Sequence, residues 1–355
     1  MVRLGLIARA DDTGLGHQTW EFARHMKPTK TLVVDATHLK GFSHYPERYP
    51  DATVVKAGTE VPATISPEDV SEFLEGLDVV FCCETPYSPL VYHQAKLRGI
   101  ATVCQYNFEF LDQNHQPPTL LAAPTMWHFD DVIHPRKKLL PVPIATDRWI
   151  RPDLTHRGVE RATRFVHVVG RPAYFDRNGT PDFLTALEKV TEPILVTLYC
   201  QSTDYLRQLL KCYEFPGHVT VVQGATKPNY WDLYLDQDVM VLPRRFGGLC
   251  LPAQEALGAG LPVIMPNISP NNDLLPDEWL VPATECGSLG ANGIVKAYRA
   301  DPVALADVIN RLASDTDFYR QSHLDAMVIA QRRSWSTLKP MYDDVLQDVV
   351  DQVRS

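Results

Sequence analysis

Short, almost wholly apolar runs recur along the chain, each followed by a polar or glycine-bearing turn and a helical pattern, and this recurrence restricts the fold more than any other feature. In the first half they are Leu4 to Ala8, Thr31 to Asp35, Ala52 to Val55, Val79 to Cys83 and Ala101 to Gln105. In the second half they are Arg164 to Val169, Ile194 to Tyr199, Val219 to Val222, Val239 to Leu242 and Pro262 to Met265. A strand apolar on both faces is covered on both faces, and strands alternating with helices build parallel sheets through crossover connections. At 355 residues the chain is too long for one ordinary core and suits two α/β domains. Between the two series, the stretch from His128 to Trp149 carries Pro135, Pro141 and Pro143 and breaks regular structure as a domain boundary does.

The most informative stretch for chemistry runs from Asp238 to Ile264. It reads as a buried strand, a glycine turn, a short helix with one acid and a second strand. The C-terminal end of a strand in a parallel sheet is a ligand-binding position. Gly247 and Gly248 let the backbone turn sharply and approach a ligand, and the N–H groups opening the next helix offer an anion site. Glu255, about two turns into that helix, is placed for the two hydroxyls of a ribose. Phosphate and ribose together mean a nucleotide.

This segment, Glu255-Ala256 through Gly260-Leu261-Pro262-Val263-Ile264, resembles the nucleotide-sugar site of the family-four retaining glycosyltransferases. The resemblance implies an α/β chain of GT-B type, two Rossmann-like domains with parallel sheets facing a cleft. Its parts would be an acceptor domain over residues 1–145, a nucleotide-sugar domain over 146–330, and a closing helix over 331–355 that crosses back to the first. Leu140 to Trp149 resembles the family's linker, and Ser334 to Tyr342 leads into its closing Trp-containing helix. A second glutamate usual in the family, eight residues before the first, is Gly247 here. Gly170-Arg171 ends the strand that opens the second domain, and Arg177 follows where the family places lysine. The resemblance makes Arg171 and Arg177 the clamp of a leaving diphosphate, with Glu255 as the third member of the catalytic set. Arginine keeps the charge and adds a forked donor geometry. Gly14, Gly16, Gly170, Gly247, Gly248 and Leu249 are the expected donor-binding positions.

The loop Ala10 to Trp20 joins the first strand to an amphipathic helix. Gly14-Leu15-Gly16 with Asp35 also fits an NAD-type dinucleotide fingerprint, but the third glycine is missing and His17 and Gln18 would crowd a pyrophosphate. His17, Glu84 and His128 are acceptor-side candidates, with Asn107 and Glu109 at similar strand ends. Asp236-Gln237-Asp238 has a metal-binding form, yet it precedes a buried strand and is expected to cap it; no metal and no cofactor are assigned. Asp11-Asp12 and Asp130-Asp131 read as turn and cap residues. Tyr230 and Trp231 are placed in the core rather than on a base.

Seven cysteines lack the spacing of a zinc site and read as buried reduced thiols. The short apolar start is neither a signal peptide nor a membrane span, so a cytoplasmic protein with no membrane partner is expected. A net charge of -9 disfavours a protein that coats nucleic acid. The wording Gly5 to Phe22 and Pro266 to Asn272 is similar to glycosyltransferases of tailed bacteriophages. That likeness implies hexosyl or pentosyl transfer, in the host cytoplasm, from a nucleotide sugar to a hydroxymethylated DNA base or a virion protein. A nucleotide-sugar-binding module without catalysis is the non-enzymatic alternative.

Overall fold

The computed structural model describes residues 2–40, 43–58, 64–111, 117–149, 160–170, 176–225, 227–289 and 295–355. The chain divides into two compact units, Met1–Pro143 with Trp335–Ser355, and Ile144–Ser334.

The first unit is built from β1 (Leu4–Ala8), α1 (Gly14–Met26), β2 (Lys30–Asp35), α2 (Thr37–Lys40), β3 (Thr53–Lys56), α3 (Pro67–Leu74), β4 (Val79–Cys83), α4 (Leu90–Leu97), β5 (Ala101–Gln105), β6 (Leu120–Ala123) and β7 (Lys137–Leu139). Among the described residues the strands form one seven-stranded sheet in the order β3-β2-β1-β4-β5-β6-β7, and its pairings are parallel. Every residue of β1, β4 and β5 is buried, as their unbroken apolar runs require. One face packs on a core around Val70, Leu74, Val91 and Ala95 from α3 and α4. Phe81 points to the other, stacked on Phe22 of α1 with ring centroids 4.2 Å apart. The C-terminal helix, Trp335–Arg354, closes this face: Tyr342 lies 6.0 Å from Phe22, and its hydroxyl donates to the Pro141 carbonyl at 3.0 Å.

The second unit contains β8 (Arg164–Gly170), α5 (Thr180–Leu187), β9 (Ile194–Cys200), α6 (Thr203–Leu210), β10 (Val219–Gln223), β11 (Val239–Val241), α7 (Leu251–Gly258), β12 (Val263–Pro266), β13 (Leu280–Val281), a hairpin of β14 (Ala283–Leu289) and β15 (Val295–Ala300), α8 (Pro302–Ser314) and α9 (Thr316–Arg332). Among the described residues six parallel strands run β10-β9-β8-β11-β12-β13. Cores lie on both faces, around Phe183, Leu187 and Ile309 on one and Met240, Leu257 and Trp279 on the other. Both units are thus the expected Rossmann-like sheets.

Some readings need correction. The proline-bearing stretch after His128 holds a strand, β7, which pairs parallel with β6, and Lys137 turns its ammonium into the carbonyls of Phe129 and Val132, at 2.6 and 3.0 Å. β6, β13 and the β14–β15 hairpin also escape the apolar-run pattern, being short or exposed. Cys82, Cys83 and Cys104 are buried thiols, but Cys200 and Cys250 are half-buried and Cys212 and Cys286 exposed. Among the described residues no helix is long and apolar enough to cross a membrane.

Candidate active site

In each sheet an aspartate precedes the strand beside the first, Asp78 before β4 and Asp238 before β11, and ties the N-terminal edge. Asp238, 3% exposed, accepts from the backbone N–H groups of Thr163 and Arg164, both at 2.9 Å. Asp238, the second acid of the Asp-x-Asp run, thus holds β8 beside β11, at the edge away from the strand C-termini. It caps the sheet, as its place in the sequence predicts.

At the C-terminal edge of the same sheet, β11 leads into Arg244-Arg245-Phe246-Gly247-Gly248 and then α7. Gly247 has φ +119°, a conformation that side chains rarely adopt. A Cβ there would lie 2.4 Å from Nη2 of Arg244 and 2.7 Å from Nη2 of Arg177. The bare Cα thus lets two guanidinium groups converge on one point of the loop. Arg177 also stacks over the Phe246 ring, 4.9 Å from its centroid. Arg244 is 8% exposed and donates to the carbonyls of Phe246 at 2.8 Å and Leu249 at 3.3 Å, so it braces the turn from inside. Arg245 donates through its backbone N–H to the Arg177 carbonyl at 2.9 Å and pairs with Asp176 and Asp182, both at 3.5 Å. These contacts fix the loop after β8 against the loop after β11.

Helix α7 starts at Leu251, one turn rather than two before Glu255, because the Gly-Gly turn runs on through Leu249 and Cys250. Pro252 removes one of the N–H groups the helix start would present, leaving those of Leu251 and Ala253. Glu255 accepts a hydrogen bond from the hydroxyl of Tyr234 at 2.7 Å. Tyr234 is fully buried, and burial together with the Glu255 charge pushes its phenol well above the ordinary range, so it remains a donor. Tyr230 and Trp231 pack against the linker: the Trp149 indole donates to the Trp231 carbonyl at 3.1 Å, and Arg148 covers the Trp231 ring at 4.3 Å.

Gly170 ends β8 with φ +72°, and Asn178 closes the turn by donating to the Val168 carbonyl at 2.9 Å. Arg171 lies outside the described residues. The second unit therefore brings Arg177, Gly247, Gly248 and Leu249 together with Arg244, while Glu255 stands one turn further along with Tyr234. Arg244 and Tyr234 are additions to the sequence reading. The Arg-Arg pair before the glycines was visible; nothing in the spacing marks Tyr234.

In the first unit Thr13 caps α1, accepting from the N–H of Gly16 at 3.1 Å. Asp11, 1% exposed, takes the turn role: it accepts from the Thr13 N–H at 3.1 Å and pairs with Arg9. A Cβ on Gly16 would lie 2.3 Å from the Asp11 carbonyl, which accounts for that glycine by packing. Gly14 is exposed at the helix start, and His17 is half-buried in the first turn. Glu84 follows β4 with φ +60°, and His128, after β6, has φ +53° and its Nδ1 2.6 Å from Asp131. The strand ends thus collect Glu84, Asn107, Glu109 and His128 along one edge of the first sheet.

Two parallel Rossmann-like units are the architecture of the GT-B glycosyltransferase fold, and comparison with solved structures bears this out. The structure of Anabaena HepE in complex with UDP is 13% identical and superposes with a TM-score of 0.68, covering 98% of this chain and 100% of that chain. The same protein in complex with UDP-glucose gives 0.66 at 13% identity over the same shares. Sucrose-phosphate synthase from Thermosynechococcus elongatus is 15% identical with a TM-score of 0.68, covering 98% and 99%. Residues 166–326 match the family described as Glycosyl transferases group 1, a stretch running from β8 into α9. No curated protein matches the chain.

Proposed function

We propose that the protein is a glycosyltransferase that moves a hexosyl or pentosyl group from a nucleoside diphosphate sugar, with retention of anomeric configuration. The observation that carries this reading is the convergence of Arg177 and Arg244 on Gly247 at the C-terminal end of β11, in a stretch matching a glycosyltransferase family. HepE, of the same fold, is a protein seen in complex with UDP and UDP-glucose, which supports a nucleotide sugar as donor.

In this reading Glu255, oriented by Tyr234, accepts from the ribose hydroxyls. Gly247, Gly248 and Leu249, with the N–H groups of Leu251 and Ala253, receive the phosphates, while Gly170 lines the donor. Arg177, joined by Arg171, neutralises the diphosphate as the glycosidic bond breaks. Charge grows on that leaving group during the reaction, so the arginines favour the transition state over the ground state. Arginine thereby fills the place a metal ion would take, and the reaction is written without metal or other cofactor. His17, Glu84 and His128 belong to the acceptor side. The acceptor is a phage macromolecule, a hydroxymethylated DNA base or a virion protein, in the host cytoplasm.

The test is incubation with UDP-, GDP-, ADP- and TDP-sugars, with and without 5-hydroxymethylpyrimidine DNA, reading released nucleotide and the mass of digested nucleosides. Nucleotide release supports the transferase, and a sugar-sized mass on the base assigns DNA as acceptor. Neither release nor binding of any donor would sink the proposal; binding without release would leave only a sugar-nucleotide-binding module.

A further inference from the structure

His167 interrupts the apolar run of β8 between Val166 and Val168, and it is completely buried. A leucine would fill that place without desolvating a polar ring, so the histidine is accounted for by its hydrogen bonds. Nδ1 lies 2.8 Å from the Val241 carbonyl and Nε2 2.9 Å from the Thr180 hydroxyl. A carbonyl only accepts, so Nδ1 carries the proton, and Nε2 of the neutral ring accepts from Thr180. Burial lowers the imidazole's pKa and keeps it neutral, against smaller opposite pulls from the Val241 carbonyl and Asp176. Phe183 of α5 packs beside the ring, with centroids 5.1 Å apart.

Both hydrogen-bond partners border the loops of the candidate site. Val241 ends β11, just before the run from Leu242 to Gly248, and Thr180 opens α5, just after Arg177, Asn178 and Gly179. The ladder between the two strands pairs Phe165 with Val239 and Val166 with Met240. His167 follows directly, so its ring joins the chains as they leave the ladder for their loops. Around it the fit is close: a Cβ on Gly179 would lie 2.0 Å from the Pro243 carbonyl. A slip of α5 along β11 would therefore carry Arg177 away from Gly247.

We propose that His167 is a positioning residue, which through Thr180 and Val241 sets the separation of the Arg177 loop from the Gly247 turn and thereby the placing of guanidinium charge on a bound diphosphate. Its place in catalysis rests on the glycosyltransferase reading; its effect on diphosphate binding does not.

Inorganic pyrophosphate is the probe that separates the two. It carries charge like that of the departed leaving group, so its affinity follows the stabilisation of the transition state. Calorimetry and steady-state kinetics are run on the native chain, on Thr180→Val, which removes the hydroxyl and keeps the shape, and on Thr180→Ser, which restores it. The native protein binds pyrophosphate, Thr180→Val binds it about ten-fold more weakly, and Thr180→Ser returns to within about two-fold, because only the valine leaves Nε2 without a donor. With a turned-over donor, Thr180→Val loses about ten-fold in kcat while donor KM moves less than about three-fold, the mark of an interaction made in the transition state. If Thr180→Val lacks native circular dichroism, His167→Asn takes its place, with an amide that donates to Val241 but falls short of Thr180, and the same loss is expected. No pyrophosphate binding by the native protein, equal binding by the folded variant, or a loss that serine does not repair overturns the positioning role. Pyrophosphate affinity lost in Thr180→Val without any donor turnover by the native chain sinks the transferase alone; donor turnover with pyrophosphate affinity unchanged sinks the positioning alone.

Discussion

Tyr234 and Glu255 stand 21 positions apart, yet a hydrogen bond from a buried phenol holds the carboxylate proposed to meet the ribose. A hydrogen bond to a charged group contributes about 1.5–3 kcal/mol, which is roughly ten-fold or more in an equilibrium. Tyr234→Phe keeps the ring and its packing, so the expected result is a donor KM raised about ten-fold in a folded protein; steady-state kinetics with an unchanged KM would remove Tyr234 from the site. Gly247→Ala tests the loop. Its methyl would enter the space of two guanidinium groups at φ +119°, so donor affinity by calorimetry is expected to fall at least about ten-fold. Retained affinity would show that the arginines act elsewhere. The glycines and Glu255 were legible because strand, turn and helix follow one another in the chain. The bracing of that turn by Arg244 was not, since charge beside a glycine pair reads equally as solvent-facing.

The two sheets share one device at the level of their strands. Asp78 precedes β4, which lies beside β1, and Asp238 precedes β11, which lies beside β8. Each acid takes the N–H that opens the first strand, Asp78 from Arg3 at 2.8 Å and Asp238 from Arg164 at 2.9 Å. The hydrogen bond and ion pair with Arg3, helped by Arg354, lower the Asp78 carboxyl to about 2. A depressed carboxyl contributes stability above its unfolded value, near 3.9, and loses it as pH falls through its folded one. Asp78→Asn is therefore expected to be less stable than the native protein at pH 6, with the gap closing between about pH 4 and pH 2. Urea denaturation across that range checks it, and a gap constant down to pH 2 would rule out the ionised carboxylate as its source. The buried strands were readable because Val79–Cys83 and its counterparts are apolar throughout. The edge elements were not: β7 is Lys-Lys-Leu, and β14 is mostly exposed, so neither carries the pattern that burial writes into a sequence.

On the scale of the whole chain, the first unit is assembled from both ends of the sequence. Its last helix buries Trp335, Tyr342, Val345, Leu346, Val349 and Val350, and Arg354 at its end pairs with Asp78 at 2.7 Å. Tyr342 alone bonds to Pro141 and receives the amide of Gln105 at 2.9 Å. Tyr342→Ala is expected to destabilise the first unit by about 3–5 kcal/mol, as a lost core aromatic does, seen as an earlier calorimetric transition for that unit. Deleting residues 335–355 is expected to leave a protease-resistant core within 144–334 while residues 1–143 are digested; survival of both would show the helix to be dispensable. The Trp-containing segment announced a closing helix, but its aromatic contacts to Phe22 and Phe81 join residues hundreds of positions apart, beyond any local periodicity. A ribosome delivers this chain in an awkward order. Residues 144–334 are contiguous and can fold as they emerge, whereas the stacked Phe22 and Phe81 are made before them and are covered by residues 335–355 made after them. The first unit is thus begun before the second and sealed only after it.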